Sequence, residues 1–292
     1  MSVESFIHQV LAGLATGGIY ASVALALVMI HQSTHLLNFA QGEMAMFSTY
    51  IAWSLINAGV PYWAAFFATI AVSFGIGVVI QRYVLRLVRG QSVLSLVAVF
   101  IGLLFIFNSL AGWIFTYTIK VFPSPFPSTP PFGQHYISSH ELGATAVTLV
   151  VLVLLYSFFR FTPLGLAMRA AAQNPESSRL VGIRVGWMLA LGWGLAAAIG
   201  SVAGMMVAPI VYLDPNMMGG ILIYAFAGAL IGGIDSPGGA VLGGFLVGVL
   251  ENVLGAYVIG NELKLSFALV LIVGVLVVKP SGLFGRVNVT RV

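Results

Sequence analysis

Residues 93–115, VLSLVAVFIGLLFIFNSLAGWIF, form an uninterrupted stretch without a charged side chain. A helix rises about 1.5 Å per residue, so about 20 apolar residues cross the hydrocarbon core of a bilayer. This stretch is long enough to do so. Similar stretches occur before and after it in the chain, which predicts a protein that crosses the membrane many times.

The composition of the whole chain agrees with a membrane environment. Of the 292 residues, 60% are hydrophobic and 7% are charged, and the mean hydropathy is +1.05. In an ordinary soluble domain about a quarter of the residues are charged. A water-soluble fold of this length could not cover its surface with so few charges, so the sequence predicts an all-α, polytopic membrane helix bundle.

The net charge is +4, and the chain contains no cysteine. Without cysteine there are no disulfides, thiolate metal sites or cysteine nucleophiles, and the redox compartment stays undetermined. The basic residues fall between apolar stretches and do not cluster on a soluble face. They therefore predict membrane topology and not nucleic-acid binding.

Nine apolar segments are candidate spans, within a range of eight to ten. The shorter segments are expected to be tilted, broken or re-entrant. The segments cover residues 6–30, 36–57, 62–81, 93–115, 142–159, 187–210, 218–234, 240–259 and 265–278. No water-soluble domain remains, so residues 1–292 are predicted to form a single transmembrane domain.

The basic residues predict the orientation of this bundle, because cytoplasmic connections hold an excess of lysine and arginine. If the first connection is cytoplasmic, ten of the twelve basic residues lie inside: Arg82, Arg86, Arg89, Arg160, Arg169, Arg179, Arg184, Lys279, Arg286 and Arg291. Only Lys120 and Lys264 then lie outside. The pattern predicts an external N-terminus and a cytoplasmic C-terminus.

The connection over residues 116–140 contains five prolines. Proline at this density favours an extended external loop over a helix. The loop is either a docking surface or an inert connection, and its residues favour neither interpretation.

The connection over residues 160–186 carries helix signals of its own. Thr162-Pro163 and Asn174-Pro175-Glu176 each join a capping side chain to a proline that pre-sets the first helical turn. Gly182 can end the second helix in a left-handed conformation. The sequence thus predicts a pair of short cytoplasmic helices between two spans.

Two uses of this helix pair are open. It presents the charged residues Arg169 and Arg179 beside apolar ones, namely Leu164, Met168, Leu180 and Val181. Such a surface suits docking in a groove of another protein. It also suits an amphipathic linker that lies on the bilayer, where arginine meets anionic lipid.

Three motifs together cover most of the chain. One is in the helix pair: Pro163-Leu164-Gly165, Met168-Arg169-Ala170, Asn174 and Gly182-Ile183. Another is Gly17-Gly18-Ile19-Tyr20, followed by Leu37-Asn38-Phe39-Ala40-Gln41-Gly42-Glu43. The last is Gly232-Gly233-Ile234, Ser236-Pro237, Gly239-Ala240 and Gly243-Gly244. These motifs resemble the membrane permease subunits of bacterial ABC importers for branched-chain amino acids, apart from Ser178, where that family commonly has alanine.

The resemblance implies partners. It implies that the helix pair contacts two ATPase subunits, through Gly165, Met168, Arg169, Ala170, Asn174, Glu176, Arg179 and Gly182. It also implies a second, homologous permease subunit, an external or periplasmic solute-binding protein, and a place in the bacterial cytoplasmic (inner) membrane. Family substrates are branched-chain amino acids, amides and urea.

No phosphate-binding loop of the form Gly-x-x-x-x-Gly-Lys-Ser/Thr occurs in the chain. ATP and Mg²⁺ are therefore expected on the ATPase subunits. For this chain we expect no cofactor, no metal site and no catalytic residue, so that it is not an enzyme by itself.

Glu43 is the first candidate for the transport path, because an ionisable side chain at membrane depth is costly and often functional. A polar run that could unwind precedes it, and aromatic residues share its helical face. We therefore assign a substrate-pathway role to Asn38, Phe39, Gln41, Gly42, Glu43 and Phe47. Alternatively, Glu43 is hydrated near the interface, or it pairs with His31 or His35.

Glu251 has a different setting. Gly244, Gly248, Glu251 and Gly255 line one face of their span, as small residues do where helices approach closely. The glutamate is expected to point into this packed interface. A structural role is favoured over a role in transport.

Three other classes of protein compete with the importer. An intramembrane hydrolase lacks support, because neither Gly-x-Ser-x-Gly nor His-Glu-x-x-His occurs. An ion-coupled secondary transporter or small-solute channel is stronger, since a bundle with broken helices suits either. Such a carrier has no need of the capped helix pair, which favours the importer. A purely structural scaffold ranks behind the importer and behind the secondary transporter or channel.

Overall fold

The computed structural model describes residues 3–34, 37–88, 91–127, 129 and 138–285. Predictions that rest on His35, Arg89, the prolines at 130 and 131, and the arginines at 286 and 291 lie outside these residues. The described residues are mostly helical. Its α-helices are α1 (Val3–Thr34), α2 (Gln41–Asn57), α3 (Tyr62–Val79), α4 (Val93–Phe115), α5 (Ser139–Phe161), α6 (Pro163–Gln173), α7 (Pro175–Leu180), α8 (Val185–Val211), α9 (Met218–Gly232), α10 (Pro237–Leu254) and α11 (Lys264–Val278).

Each of the nine predicted spans corresponds to one of these helices. Seven are long and apolar enough to cross a membrane: α1, α3, α4, α5, α8, α10 and α11, three of them counted with the short turns that adjoin them. The other two are shorter, with 17 residues in α2 and 15 in α9. The prediction of an all-α membrane bundle with short segments is confirmed, and α6 and α7 form the helix pair between α5 and α8.

Helices suit this environment because lipid offers no hydrogen bonds to the backbone, so each span must satisfy its own. Helix ends depend on capping side chains. Ser92 Oγ accepts a hydrogen bond from Ser95 N at the start of α4, and Ser236 Oγ accepts one from Gly239 N at the start of α10. At their other ends, α3 continues into a π-helical turn over Ile80–Leu85 and α10 into another over Gly255–Ile259.

The chain divides into two compact units. The first unit comprises Met1–Val28, Ser124–Val147 and Gly219–Val292, and the second comprises Met29–Pro123 and Thr148–Met218.

In the first unit, glycine lets α1, α9 and α10 approach almost backbone to backbone. A Cβ added to Gly244 would lie 2.5 Å from Cα of Ala21, and one added to Gly228 would lie 2.7 Å from Cα of Gly244. A Cβ on Gly248 would collide with the backbone of Gly17. The small-residue face predicted for α10 is therefore packed against its neighbours.

In the second unit, α8 packs on both α2 and α3. Trp193 of α8 is fully buried, and its ring lies 5.9 Å from that of Phe100 on α4. A buried hydrogen bond of 2.8 Å from Ser73 Oγ to Ser48 Oγ joins α3 to α2. The core formed by α2, α3 and α8 positions the start of α2 and the start of α8. The candidate site lies at these two helix starts.

The close contact of α1 and α10 makes a testable prediction. In Gly248→Ala the new methyl group meets the Gly17 backbone, so the helices must separate. We expect the free energy of unfolding to fall by about 1–3 kcal/mol, as in other overpacked interiors. The matched control is Gly274→Ala on α11, where nothing lies within 4 Å of an added Cβ.

Alanine has the higher helix propensity, so the control is expected to be neutral or more stable by up to about 1 kcal/mol. Melting temperatures in detergent measure both variants. Equal melting temperatures for the two variants would contradict the contact.

Candidate functional site

The helix pair is held by the caps that its sequence predicts. Thr162 Oγ1 accepts a 3.0 Å hydrogen bond from Gly165 N at the start of α6. Asn174 Oδ1 accepts a 3.0 Å hydrogen bond from Ser177 N at the start of α7. Gly182, with φ at +84°, follows the end of α7 in the left-handed conformation. These local features fix where each short helix begins and ends.

One face of α6 is packed inside the chain. Ala171 is fully buried in a cluster with Val185 and Leu189 of α8. Met168 is 7% exposed, and Gly165 lies so close to the backbone at Phe158 that a Cβ would collide with the Phe158 carbonyl. Gly165 and Met168 therefore position α6 against α5 and α8. Met168 does not share the exposed surface with the other apolar residues of the pair.

The opposite side of the pair is open. Leu180 is 88% exposed and Val181 is 76% exposed, and the neighbouring Glu176 and Arg179 are exposed as well. Asn174 is also exposed, while Ala170 is half-buried. We call Glu176, Arg179, Leu180 and Val181 the outer surface of the helix pair. It combines two large apolar side chains with one charge of each sign.

Arg169 differs from Arg179 although both were predicted to contact a partner. Arg169 is half-buried, and among the described residues its Nε has no hydrogen-bond partner. It borders a small cavity of about 30 Å³ that Met29 and Phe159 also line. That volume is enough for about one water molecule. Arg169 thus lies on the inner side of α6, facing this cavity, and not on the outer surface of the helix pair.

The polar run before Glu43 forms the break that the sequence suggests. Helix α2 begins at Gln41 and not at Leu36, and the described residues just before it are not helical. Asn38 Oδ1 accepts a 3.1 Å hydrogen bond from Ala40 N. Gln41 Nε2 donates a 3.0 Å hydrogen bond to the carbonyl of Ala196 on α8. Both polar side chains are fully buried. Gln41 joins the start of α2 to α8, while Asn38 bonds within the segment where α2 begins.

Glu43 lies just inside this break. It is 8% exposed, and among the described residues its Oε2 has no hydrogen-bond partner. A buried polar atom without a partner costs free energy, which a bound solute or water molecule can recover. Phe47, one turn further along α2, is half-buried with its ring edge-on to Phe107 at 5.4 Å. Of the other assigned residues, Gly42 is buried and Phe39 is 41% exposed.

Glu251, in contrast, has partners within the first unit. Tyr20 donates a 2.7 Å hydrogen bond from its hydroxyl to Oε2, and Lys264 Nζ lies 3.7 Å from Oε1. The ring of Tyr20 stacks on Tyr224 at 5.0 Å. An added Cβ at Gly255 would meet the Lys264 side chain, so the lysine packs against this glycine as well as near Glu251. The arrangement supports a structural role for Glu251.

The sequence does not indicate Tyr20 or Lys264 as a partner of Glu251. Tyr20 is separated from Glu251 by 231 positions, and the sequence distinguishes Lys264 only as a basic residue on the external side. Only the pairing of a tyrosine and a glutamate at similar membrane depth could have suggested the contact. Within the described residues, no group of three or more histidine, aspartate or glutamate side chains could hold a metal ion.

Together, the apolar spans, the broken helix start with a buried carboxylate and the capped helix pair define a membrane protein of the transporter class. Residues 9–276 match the family model described as "Branched-chain amino acid transport system / permease component". The chain belongs to this family.

Similar proteins extend over nearly the whole chain. The high-affinity branched-chain amino acid transport system permease protein BraD of Pseudomonas aeruginosa is 32% identical and covers 99% of both chains. The LivH proteins of Salmonella typhimurium and Escherichia coli, described in the same words, are 30% and 29% identical and cover 98% of both chains. A solved chain described as "An inward-facing conformation of a putative metal-chelate type ABC transporter" aligns with a TM-score of 0.48 and 18% identity, covering 92% of this chain and 85% of that one.

The cap at Asn174 makes a prediction for α7. Asn174→Ala removes the acceptor for Ser177 N, and loss of such a cap costs about 1 kcal/mol. We expect the α7 amides to exchange with solvent about five times faster, because local opening becomes more favourable by that amount. Asn174→Ser retains a capping oxygen and is expected to exchange at nearly the parent rate. Equal exchange in both variants would contradict this role of Asn174.

Proposed function

We propose that this chain is the membrane permease subunit of an ATP-driven importer, in which separate ATPase subunits hydrolyse ATP. The observation that carries this proposal is the helix pair: two capped helices fixed to α8 on one side and open on the other. A carrier that works alone has no use for such a surface. Its exposed Leu180 and Val181, beside Glu176 and Arg179, suit a groove on a partner protein.

The complete importer in this proposal contains two ATPase subunits, a second and homologous permease, and an external or periplasmic solute-binding protein. ATP and Mg²⁺ bind to the ATPase subunits, and this chain supplies no catalytic residue. The complex resides in the bacterial cytoplasmic membrane with the N-terminus of this chain outside, as the distribution of arginine and lysine supports.

Branched-chain amino acids are the proposed substrates. The named relatives are permease proteins of branched-chain amino acid transport systems. The path is proposed to pass the start of α2, where Glu43 is buried beside apolar and aromatic side chains. A carboxylate with a free oxygen can accept a hydrogen bond from the ammonium group of an amino acid, and Phe47 offers an apolar contact for its side chain.

The contacts of the second unit supply a route from the helix pair to this path. Closure of the ATPases would move α6 and α7, and α6 is fixed to α8 through Ala171, Val185 and Leu189. Helix α8 is bonded in turn to the start of α2 through Gln41 and the Ala196 carbonyl. A shift of α8 therefore moves the residues around Glu43. This movement allows the transport path to alternate between outward-open and inward-open states.

The first experiment purifies the tagged chain gently from its native membrane and identifies the proteins that accompany it. Two ATPase chains and a second permease are expected, and liposomes that contain the complex should accumulate leucine only with ATP and the binding protein. A homo-oligomer that moves solute without ATP would instead establish a secondary transporter or channel.

The two arginines of the helix pair separate docking from internal packing. Arg179→Glu reverses an exposed charge on the outer surface, so it is expected to reduce copurification of the ATPases while leaving the melting temperature of the chain unchanged. Arg169→Glu reverses the charge of a half-buried residue beside a small cavity, so it is expected to lower the melting temperature as well as uptake. Full leucine uptake in both variants would refute the role of the helix pair.

Glu43→Gln tests the path itself. The substitution keeps the size of the side chain but removes its charge, and a hydrogen bond to a charged group contributes about 1.5–3 kcal/mol. We expect leucine uptake at low substrate concentration to fall about 10-fold or more, with assembly and ATPase docking intact. Glu262→Gln, which alters an exposed carboxylate in the first unit, serves as the matched control. If Glu43→Gln took up leucine at the parent rate, the proposed role of Glu43 in the transport path would be wrong.

A further inference from the structure

An open groove of about 510 Å³ lies on the second unit, outside the path and the outer surface of the helix pair. It forms where α6, the connection before α8 and the first turns of α8 meet. The groove is lined by Ala167, Ile183, Arg184, Trp187, Met188 and Leu191. Five of these side chains are apolar, and Arg184 is the charged one.

A second cation lies beside the same groove. The guanidinium of Arg82, in the π-helical turn after α3, lies over the indole of Trp187 at 4.3 Å from the ring centroid. This cation–π contact holds the arginine side chain at a defined place. Trp187 is 41% exposed, as is usual for tryptophan at the boundary of a membrane. The groove therefore combines an apolar lining with two positively charged side chains, Arg184 in it and Arg82 beside it.

No negative charge on the surrounding elements balances these two arginines. Helices α3, α6 and α8 and the turn Ile80–Leu85 contain no aspartate or glutamate. The nearest acidic residue in sequence, Glu176 of α7, is exposed on the outer surface of the helix pair. The groove thus offers apolar contact and unbalanced positive charge to the same ligand.

We propose that this groove binds one anionic phospholipid. Its phosphate accepts hydrogen bonds from Arg82 and Arg184, and one acyl chain lies along Trp187, Met188 and Leu191. Basic pockets between membrane helices bind anionic headgroups in this way. A protein partner fits less well, because the two arginines would require an acidic segment immediately joined to a membrane-embedded apolar one. The bound lipid joins α3 to α8 at the level where α6 packs.

Native mass spectrometry of the intact purified complex tests the proposal, with phosphatidylglycerol and phosphatidylcholine as the two probes. The parent protein is expected to retain one phosphatidylglycerol per copy of this chain and to prefer it clearly over phosphatidylcholine. In the double variant Arg82→Gln/Arg184→Gln, affinity for phosphatidylglycerol should fall about 10- to 30-fold, since each arginine near an anionic lipid contributes about 1 kcal/mol. Trp187→Ala should also weaken retention.

The control is Arg86→Gln/Arg160→Gln, which removes two exposed arginines that do not line the groove. Its net charge equals that of the double variant Arg82→Gln/Arg184→Gln. The control should retain lipid as the parent protein does. The proposal would be overturned if both double variants lost phosphatidylglycerol equally, or if the parent protein bound phosphatidylcholine as well as phosphatidylglycerol. It would also be overturned if inorganic phosphate alone stabilised the parent protein as much as phosphatidylglycerol does. Lipid binding by the isolated chain that disappears in the complex would overturn it too, because a protein subunit would then fill the groove. None of these readouts depends on transport activity.

Discussion

Close approach of helices is the constraint on which the rest of this structure depends. Lipid is as apolar as leucine, so association of helices in a membrane relies on packing and hydrogen bonds and not on exclusion of water. Glycine supplies the short distances in both units. In the first, Gly244 lies against Ala21, and in the second, Gly77 lies against the backbone of Trp193 so closely that a Cβ would collide with it. The close approach of α3 and α8 positions the core that carries the candidate site.

Within these packed helices, a few buried polar contacts join one helix to another. Gln41 occupies the space left by Gly200, where an added Cβ would lie 2.6 Å from its Nε2. The same amide nitrogen donates to the Ala196 carbonyl. A glycine on α8 thus makes room for the side chain that joins α2 to α8. The position of Glu43 follows from this pairing, since it lies on the first turn of the helix that Gln41 begins.

The helices and their caps could be predicted because the signals are local. Thr162 caps α6 and Asn174 caps α7, as the sequence predicts. Each cap depends only on a side-chain oxygen and a backbone N–H three residues further along the chain, so the start of each helix can be located from the sequence. The sequence does not predict equally well which face of α6 is buried. Its apolar character alone predicts that Met168 shares a surface with Leu180 and Val181, but Met168 packs inward because Gly165 brings α6 against the end of α5.

Contacts between distant segments could not be predicted either. The tripeptide Gly-Gly-Ile occurs at residues 17–19 and again at residues 219–221. A Cβ on Gly17 would lie 2.9 Å from Cα of Phe245, whereas nothing lies within 4 Å of a Cβ on Gly219 or Gly220. A pattern along the chain indicates which residues are small. It does not indicate which helix will fill the space beside them.

Asn174 is at once the last cap of α6 and the first cap of α7, so no spare residue separates the two helices. Its backbone N–H donates to the Ala170 carbonyl at the end of α6, while its side chain accepts from Ser177 N at the start of α7. Deletion of Asn174 would therefore disturb the end of one helix and the start of the next together, whereas a substitution that removes its side-chain oxygen would act on α7 alone.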